Sequence, residues 1–499
     1  MPLVLTLSTW AMGFVCLGLV YLILSRYFPM AKRKTLGIPG PDPLLLLGNL
    51  KLIGDIMNKN GALLYNVFEV LRDRYGGRYS LFFGPRLFII TEELEDIREI
   101  LVKKFDHFSD RQEMNFLSDS LREAIVNQKG QIWRHSRAKL SPAFTTAKIR
   151  AMSASVHRNS EIFLELLHDD ALNNNYFDIY DLYKRLTLSV IADCAFGFEA
   201  DCLRNSDCPF AFHAANYFRQ MPSPENSALM GISVVIPEVA PICEWLHCRL
   251  SDAGKSEAWM SEALRRVIEG RIRGMETDRN DVISLLINSN LPTNEIVNNA
   301  FAFLLAGYET TSTALAFATW LLGKNENIQE KLANELKTLP DHQKTNDYYD
   351  QVMTLPYLNA VYKEALRLYP PITFFVNRTC VAECEVGGVR YEKGTQVGIP
   401  IWNVHRNAEF WPEPDEFRPE RFLSGKPQTP FTWLPFGAGP RGCVGQRFAE
   451  MEFKIVLART LSRFQIVLSP EIQDRLELSN PTAMLSTPKI SILIKSRDS

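Results

Sequence analysis

Phe436-Gly437-Ala438-Gly439-Pro440-Arg441-Gly442-Cys443-Val444-Gly445, followed by Gln446-Arg447-Phe448-Ala449, is the stretch around which the rest of the chain is organised. Six of its first ten residues are Gly, Pro or Ala, so the backbone can turn tightly and approach a flat ligand closely. One cysteine stands in the middle, and a helical run begins near Gly445. A thiolate at Cys443 would meet the N–H groups of a glycine-rich turn and the positive end of the following helix, and both favour charged sulfur. Arg441, two residues earlier, is placed to bond an acidic group lying over the loop. The competing reading of the composition is an ordinary Gly/Pro turn holding a buried free cysteine.

The full pattern Phe-x-x-Gly-x-x-x-Cys-x-Gly, from Phe436 to Gly445, specifies residue types at separated positions. It resembles the haem-binding loop of the cytochrome P450 family. The resemblance implies haem b (iron protoporphyrin IX) with Cys443 as axial ligand of the iron, and Phe436 and Arg441 among the cofactor contacts.

At 499 residues, length alone allows two or three average domains. The composition is globular: 46% hydrophobic, 22% charged, formal net charge −2. No basic run exceeds Lys32-Arg33-Lys34, which argues against nucleic-acid binding. The nine cysteines are scattered and odd in number, unlike a disulfide framework, and suit a reducing compartment. Cys380 and Cys384 form a lone C-x-x-x-C without the second pair that a zinc site needs.

Met1 to Ser25 holds no charged side chain, and the run stays apolar through Phe28 after Arg26, long enough to cross a bilayer as a helix. The basic triplet that follows keeps the remainder cytosolic by the positive-inside rule. A cleaved signal peptide fits less well, because there is no basic segment before the apolar run. The chain therefore divides into a transmembrane anchor over 1–28, a basic and proline-rich linker over 29–45, and a catalytic domain over 46–499. Ile38-Pro39-Gly40-Pro41-Asp42-Pro43 is stiff and extended by its prolines, and is similar to the hinge of microsomal family members. That resemblance implies a single-pass protein of the endoplasmic reticulum membrane.

The remaining signals follow in order. Gly61 to Arg74 has helical spacing, and Tyr79–Phe83 with Arg86–Thr91 reads as a hairpin through Gly84-Pro85. Trp133 and Arg137 share a helical face at i and i+4, from which indole and guanidinium can both reach one carboxylate. The family uses this W-x-x-x-R helix to hold a haem propionate, and His135 between them reads as a surface residue. Met152–Phe196 and Ser256–Ile287 are mostly helical, whereas Asp201 to Leu250 is poorly periodic and rich in Pro, Phe and Met. By position that segment is the roof of the family's substrate cavity; a buried core segment explains it equally well.

Asn294 to Leu322 reads as one helix of roughly 44 Å, with Ala306-Gly307-Tyr308-Glu309-Thr310-Thr311 at its centre. Glycine and paired threonines weaken the helix there, and a Thr hydroxyl can replace an i−4 backbone bond. The stretch matches the family's oxygen-binding motif (A/G)-G-x-(D/E)-T. The resemblance implies Thr310 as hydrogen-bond donor to bound dioxygen and Glu309 as a relay of protons from water. Glu364 and Arg367 form E-x-x-R on one helix face, and with Arg421 of Pro419-Glu420-Arg421-Phe422 they match the family's structural Glu-Arg-Arg cluster. Arg378 fits a second propionate contact. Leu305, Ala306, Thr373, Phe374, Phe375 and Met484 are the candidate substrate-facing residues, with Ala483, Met484 and Leu485 at the tip of a C-terminal loop over Ser479–Ser486. Lys489–Arg497 alternates like a strand.

The expected fold is one large, mainly α domain with small β-sheets, the cytochrome P450 fold, preceded by one transmembrane helix. The expected activity is a haem-thiolate monooxygenase that inserts one oxygen atom from O2 into a lipophilic xenobiotic, steroid or fatty acid. Within the family the motifs look most like the microsomal clan of drug-metabolising enzymes. The resemblance implies NADPH as the electron source through cytochrome P450 reductase, with cytochrome b5 as a further partner. Arg134, Lys139 and Lys454 are candidates for the basic docking face. Alternatives are a haem-thiolate isomerase or dehydratase of a lipid peroxide, which often lacks the acid–alcohol pair present here, a non-enzymatic haem sensor, and a membrane-anchored scaffold.

Overall fold

The structure is a computed structural model, and it describes residues 2–33, 36–60, 63–112, 118–198, 200–205, 207–221, 224–274, 281–289, 291–339, 348–423, 429–479 and 483–497. Among them are nine strands: β1 (Arg78–Phe83), β2 (Arg86–Thr91), β3 (Phe177–Asp178), β4 (Val376–Thr379), β5 (Cys384–Val386), β6 (Val389–Tyr391), β7 (Gln396–Ile399), β8 (Phe464–Leu468) and β9 (Ser491–Ser496). The chain forms two compact units. One comprises Met1–Phe116, Ala228–Cys243 and Phe375–Pro400, the other Leu117–Ser227, Glu244–Phe374 and Ile401–Ser499.

The first unit carries a four-stranded sheet of order β1-β2-β7-β4 and the small hairpin β5-β6. The expected β1-β2 hairpin pairs Phe83 with Arg86 across Gly84-Pro85. Gly84 has φ +59°, and a Cβ built there would lie 2.3 Å from the carbonyl oxygen of Val234, so glycine is needed both for the turn and for the close approach. The Leu64–Tyr75 helix answers to the periodicity read from Gly61 onward, although Gly61 and Ala62 lie outside the described residues. The Pro39 carbonyl accepts the Ser80 N–H at 2.8 Å, which pins the proline linker along β1.

The N-terminal segment is helical from Pro2 to Arg33. Among the described residues, no helix is long and apolar enough to cross a membrane, and the side chains of residues 2–11, 13–15, 19 and 32 lie outside that description. Near the end of this helix Arg26, 3% exposed, bonds Glu238 through both guanidinium branches at 3.0 and 2.7 Å.

The second unit is built around the helix Thr293–Lys324, about 48 Å long by its residue count. It packs against Ile179–Phe196. A Cβ on Gly307 would already be 3.0 Å from the Ile191 side chain, so the glycine lets the two helices close. A three-stranded sheet, β3-β9-β8, completes this unit, with β9 in the segment whose alternation reads as a strand.

Two expectations fail. The Asp201–Leu250 segment contains the helices Pro209–Gln220, Pro224–Val235 and Ala240–Leu250. A proline stands in the first turn of each, where it costs no intrahelical bond, and pieces of 11 or 12 residues are too short to show a sustained period. Nor do all the cysteines stand free, because Cys202 and Cys208 are disulfide-bonded.

Candidate active site

Backbone bonds internal to the Cys443 loop hold it. Gly437 N–H donates to Leu434 C=O at 3.0 Å, Cys443 N–H to Phe436 C=O at 2.9 Å, and Gly442 N–H to Gly439 C=O at 2.9 Å. Gly437 and Gly439 adopt φ of 67° and 71°, which bends the chain back on itself. Gly445 is the N-cap of the helix Gln446–Arg463, so the positive end of that dipole stands beside the thiol. Phe436 is half-buried and the Cys443 sulfur side is exposed.

The helix Gly130–Leu140 braces this loop. Arg137 Nη2 donates to Gly442 C=O at 3.0 Å. Arg441 lies with its guanidinium 4.0 Å over the ring of Trp133 and donates to Gln128 C=O at 2.7 Å. A desolvated stack of this kind contributes about 2 kcal/mol, and both partners are buried. Burial holds Arg137 below the usual guanidinium range while the Cys443 sulfur opposes that shift. Trp133 and Arg441 thus stack beside the loop that Arg137 braces, and His135 is exposed.

On the central helix, every residue from Ile296 to Leu322 is buried except Phe303, Ala306, Gly307 and Thr310. These four follow the i, i+3, i+4, i+7 spacing of a single helix face, and leave an open, largely apolar stripe along an otherwise packed element. Thr310 Oγ1 donates to Ala306 C=O at 2.6 Å, the i−4 bond anticipated from the motif. Thr187 and Ser312 hydroxyls both donate to Tyr308 C=O at 2.8 Å. Glu309 is 4% exposed, accepts the Tyr180 O–H at 2.8 Å and faces Lys184 Nζ at 3.4 Å. Neither Tyr180 nor Lys184 carries a signal in the sequence, because their partner is far along the chain.

Behind the loop, Arg367 clasps Glu364 at 2.7 and 2.8 Å, with neither side chain exposed. Arg421 Nε adds a third contact to Glu364 at 3.2 Å. Arg367 also donates to the carbonyls of His405, Pro414 and Glu416. His405, which no motif singled out, connects this cluster to the cysteine loop. Its Nε2 accepts the Leu434 N–H at 2.7 Å, and its Nδ1 meets Arg367 C=O at 3.1 Å, so Nδ1 carries the proton. Leu434 in turn accepts from Gly437, the first glycine of the loop. Burial, and after it the neighbouring Arg367 charge, hold the His405 imidazole down to about 3.

Among the substrate-facing candidates, Thr373 meets the C-terminal loop directly: its N–H and hydroxyl both donate to Ala483 C=O, at 2.7 and 3.1 Å. Met484 bridges to Ile372. Residues 480–482 of that loop lie outside the described residues, and Leu485 is wholly buried. Leu305 and Phe374 are buried in the same unit. Phe375 and Arg378 belong to the first unit, where Phe375 lies 4.4 Å under the Arg111 guanidinium and Arg378, fully buried on β4, donates to Asn377 C=O at 2.7 Å. Lys454 is 1% exposed and bonded to Glu450 and Asn359, so it cannot belong to a basic docking face. Its place on the inner side of the helix after Cys443 was invisible to a reading based on charge alone.

Residues 38–495 match the family model for cytochrome P450. The chain belongs to the cytochrome P450 family. It is 31% identical over 508 residues to cytochrome P450 3A17 of Cavia porcellus, covering 99% of this chain and 97% of that protein. It is 30% identical to cytochrome P450 3A6 of Oryctolagus cuniculus over 511 residues, 100% of this chain and 99% of that one. It is also 30% identical to cytochrome P450 3A5 of Homo sapiens over 507 residues, with 99% and 98% covered. This P450 is therefore a monooxygenase that uses haem, and its mainly helical architecture with small sheets agrees with that. The donor set fits the cofactor: a soft sulfur exposed on a glycine turn at a helix N-terminus, and elsewhere in the unit a packed helix left open along one apolar face.

Proposed function

We propose that this P450 is a membrane-anchored enzyme of the endoplasmic reticulum, its catalytic domain (46–499) cytosolic, that inserts one oxygen atom from O2 into a lipophilic small molecule. The observation that carries this reading is the exposed Cys443 thiol on its braced loop. Cys443 would hold the haem iron, and Trp133, Arg137, Arg441 and Phe436 of the same unit would hold the rest of the cofactor. Ligated by a thiolate, haem supplies the electron-rich iron that cleaves dioxygen and oxidises the substrate.

The chain's own residues orient and supply. Arg441 is a buried cation and Arg137 a half-buried one, both suited to propionate carboxylates. Thr310 would turn its hydroxyl from Ala306 C=O toward the reacting oxygen, and because one hydrogen bond replaces another the exchange is close to neutral. Glu309, the adjacent acid, passes protons inward. The stripe at Phe303, Ala306 and Gly307, together with Leu305, Thr373, Phe374 and Met484 of the same unit, supports an apolar substrate such as a steroid, fatty acid or xenobiotic. NADPH through a membrane reductase, with cytochrome b5 as an accessory donor, is the electron supply, and the uncharged run before Arg26 supports the anchor over 1–28. The Glu309–Thr310 pair favours oxygen activation over peroxide isomerisation.

The test is the carbon monoxide difference spectrum of the dithionite-reduced protein. A long-wavelength Soret band that is lost in Cys443→Ala is the expected result. A band at the position of imidazole-ligated haem, or none in folded protein, would overturn the assignment.

A further inference from the structure

Glu309 is held in an arrangement that a merely structural ion pair does not need. Its Oε1 takes both the Tyr180 O–H at 2.8 Å and the Lys184 ammonium at 3.4 Å. Its Oε2 is buried and has no hydrogen-bond partner among the described residues. Buried carboxylate oxygens are usually satisfied, so the carboxyl group has one oxygen held and the other open to a further partner. Tyr180 also meets Thr313 Oγ1 at 2.8 Å, one turn beyond Glu309 on the same helix. Lys184 lies one turn after Tyr180, with its ammonium 4.0 Å over the Tyr180 ring and its side chain 24% exposed.

These groups therefore stand at graded depth: a partly exposed lysine, a buried phenol, and a buried carboxylate next to Thr310 in the chain. We propose that Tyr180 and Lys184 are positioning residues for proton supply, which fix Oε1 of Glu309 and leave Oε2 as the oxygen that takes up and gives off protons. Burial first, and the Glu309 charge after it, raise the Tyr180 phenol well above its ordinary range, so Tyr180 remains a donor throughout. Lys184 places a positive charge 3.4 Å from Oε1, a countercharge for a carboxyl group held away from bulk water. The inference rests on the reading of Glu309 as the acid that serves Thr310.

The experiment compares Tyr180→Phe, Lys184→Met and Lys184→Arg with wild type as holoenzymes, each first shown to be folded by its reduced carbon monoxide spectrum. With NADPH, a microsomal reductase and testosterone as lipophilic probe, peroxide released per NADPH is expected to rise about threefold or more in Tyr180→Phe and Lys184→Met. The solvent deuterium isotope effect on turnover should rise with it, and Lys184→Arg should restore both. A second readout needs no turnover. The infrared spectrum of Lys184→Met should gain the C=O stretch of a neutral carboxylic acid that is erased by adding Glu309→Gln. Wild-type coupling, isotope effect and infrared spectrum in both Tyr180→Phe and Lys184→Met would overturn the proposal. Thr310→Ala separates the two readings: if it too leaves coupling unchanged, the oxygen-activating role of the groove fails, and the infrared result still decides the role of Lys184.

Discussion

His405 should make this P450 acid-labile by an amount the structure lets one work out. The imidazole is 0% exposed, accepts Leu434 N–H on Nε2 and donates from Nδ1 to Arg367 C=O. A second proton would have to sit on Nε2, where it would break the bond to Leu434 and place a positive charge beside Arg367. Burial first, and the Arg367 charge after it, lower its pKa from 6.5 to about 3. The unfolded chain therefore binds the proton more readily than the native one. The stabilisation is fully present above about pH 6.5 and is lost as the pH falls toward 3. A difference of about 3.5 units corresponds to about 5 kcal/mol in total, and between pH 6 and pH 5 to a loss of about 1.2 kcal/mol. The assay is urea unfolding followed by circular dichroism at several pH values, for wild type and His405→Gln. Glutamine keeps a donor and an acceptor but does not titrate, so the variant should be less stable at pH 7 yet show a shallower slope by about 1.2 kcal/mol per pH unit. Glu92, whose carboxyl burial raises to about 7, titrates equally in both proteins and cancels. Parallel curves would refute the reasoning.

Two further outcomes follow from the packing. Glu364→Gln leaves the unexposed Arg367 guanidinium without its countercharge and should cost about 3–5 kcal/mol, read as a lower unfolding midpoint and poorer haem loading; a loss below about 1 kcal/mol would mean that the backbone carbonyls alone hold Arg367. Gly84→Ala combines a left-handed backbone with a 2.3 Å approach to Val234 O and should destabilise by roughly 1–3 kcal/mol, so an unchanged melting temperature would show that the turn yields.

The short-range features of the site were legible because each is carried by neighbours in the chain. The Cys443 loop is a local arrangement of glycines ahead of a helix. The i−4 bond of Thr310 and the Glu364–Arg367 clasp each join residues three or four apart. The hairpin through Gly84 and the strand β9 follow from turn chemistry and alternation. Periodicity failed between Asp201 and Leu250, where prolines cut the helices too short to register. Charge counting failed at Lys454, because a lysine on an inner helix face looks like any other lysine in the sequence.

By itself, then, the sequence determined the glycine-rich Cys443 loop, the central helix with its weakened middle and the apolar N-terminal run, because these depend on residue spacing within a few turns. Only the tertiary structure decided which carbonyls Arg137, Arg441 and His405 would bind, that Glu309 would be shared by Tyr180 and Lys184, and that one face of the Thr293–Lys324 helix would stay open. Those pairings join residues up to about three hundred positions apart, and their strength comes from the exclusion of water, which no local pattern encodes.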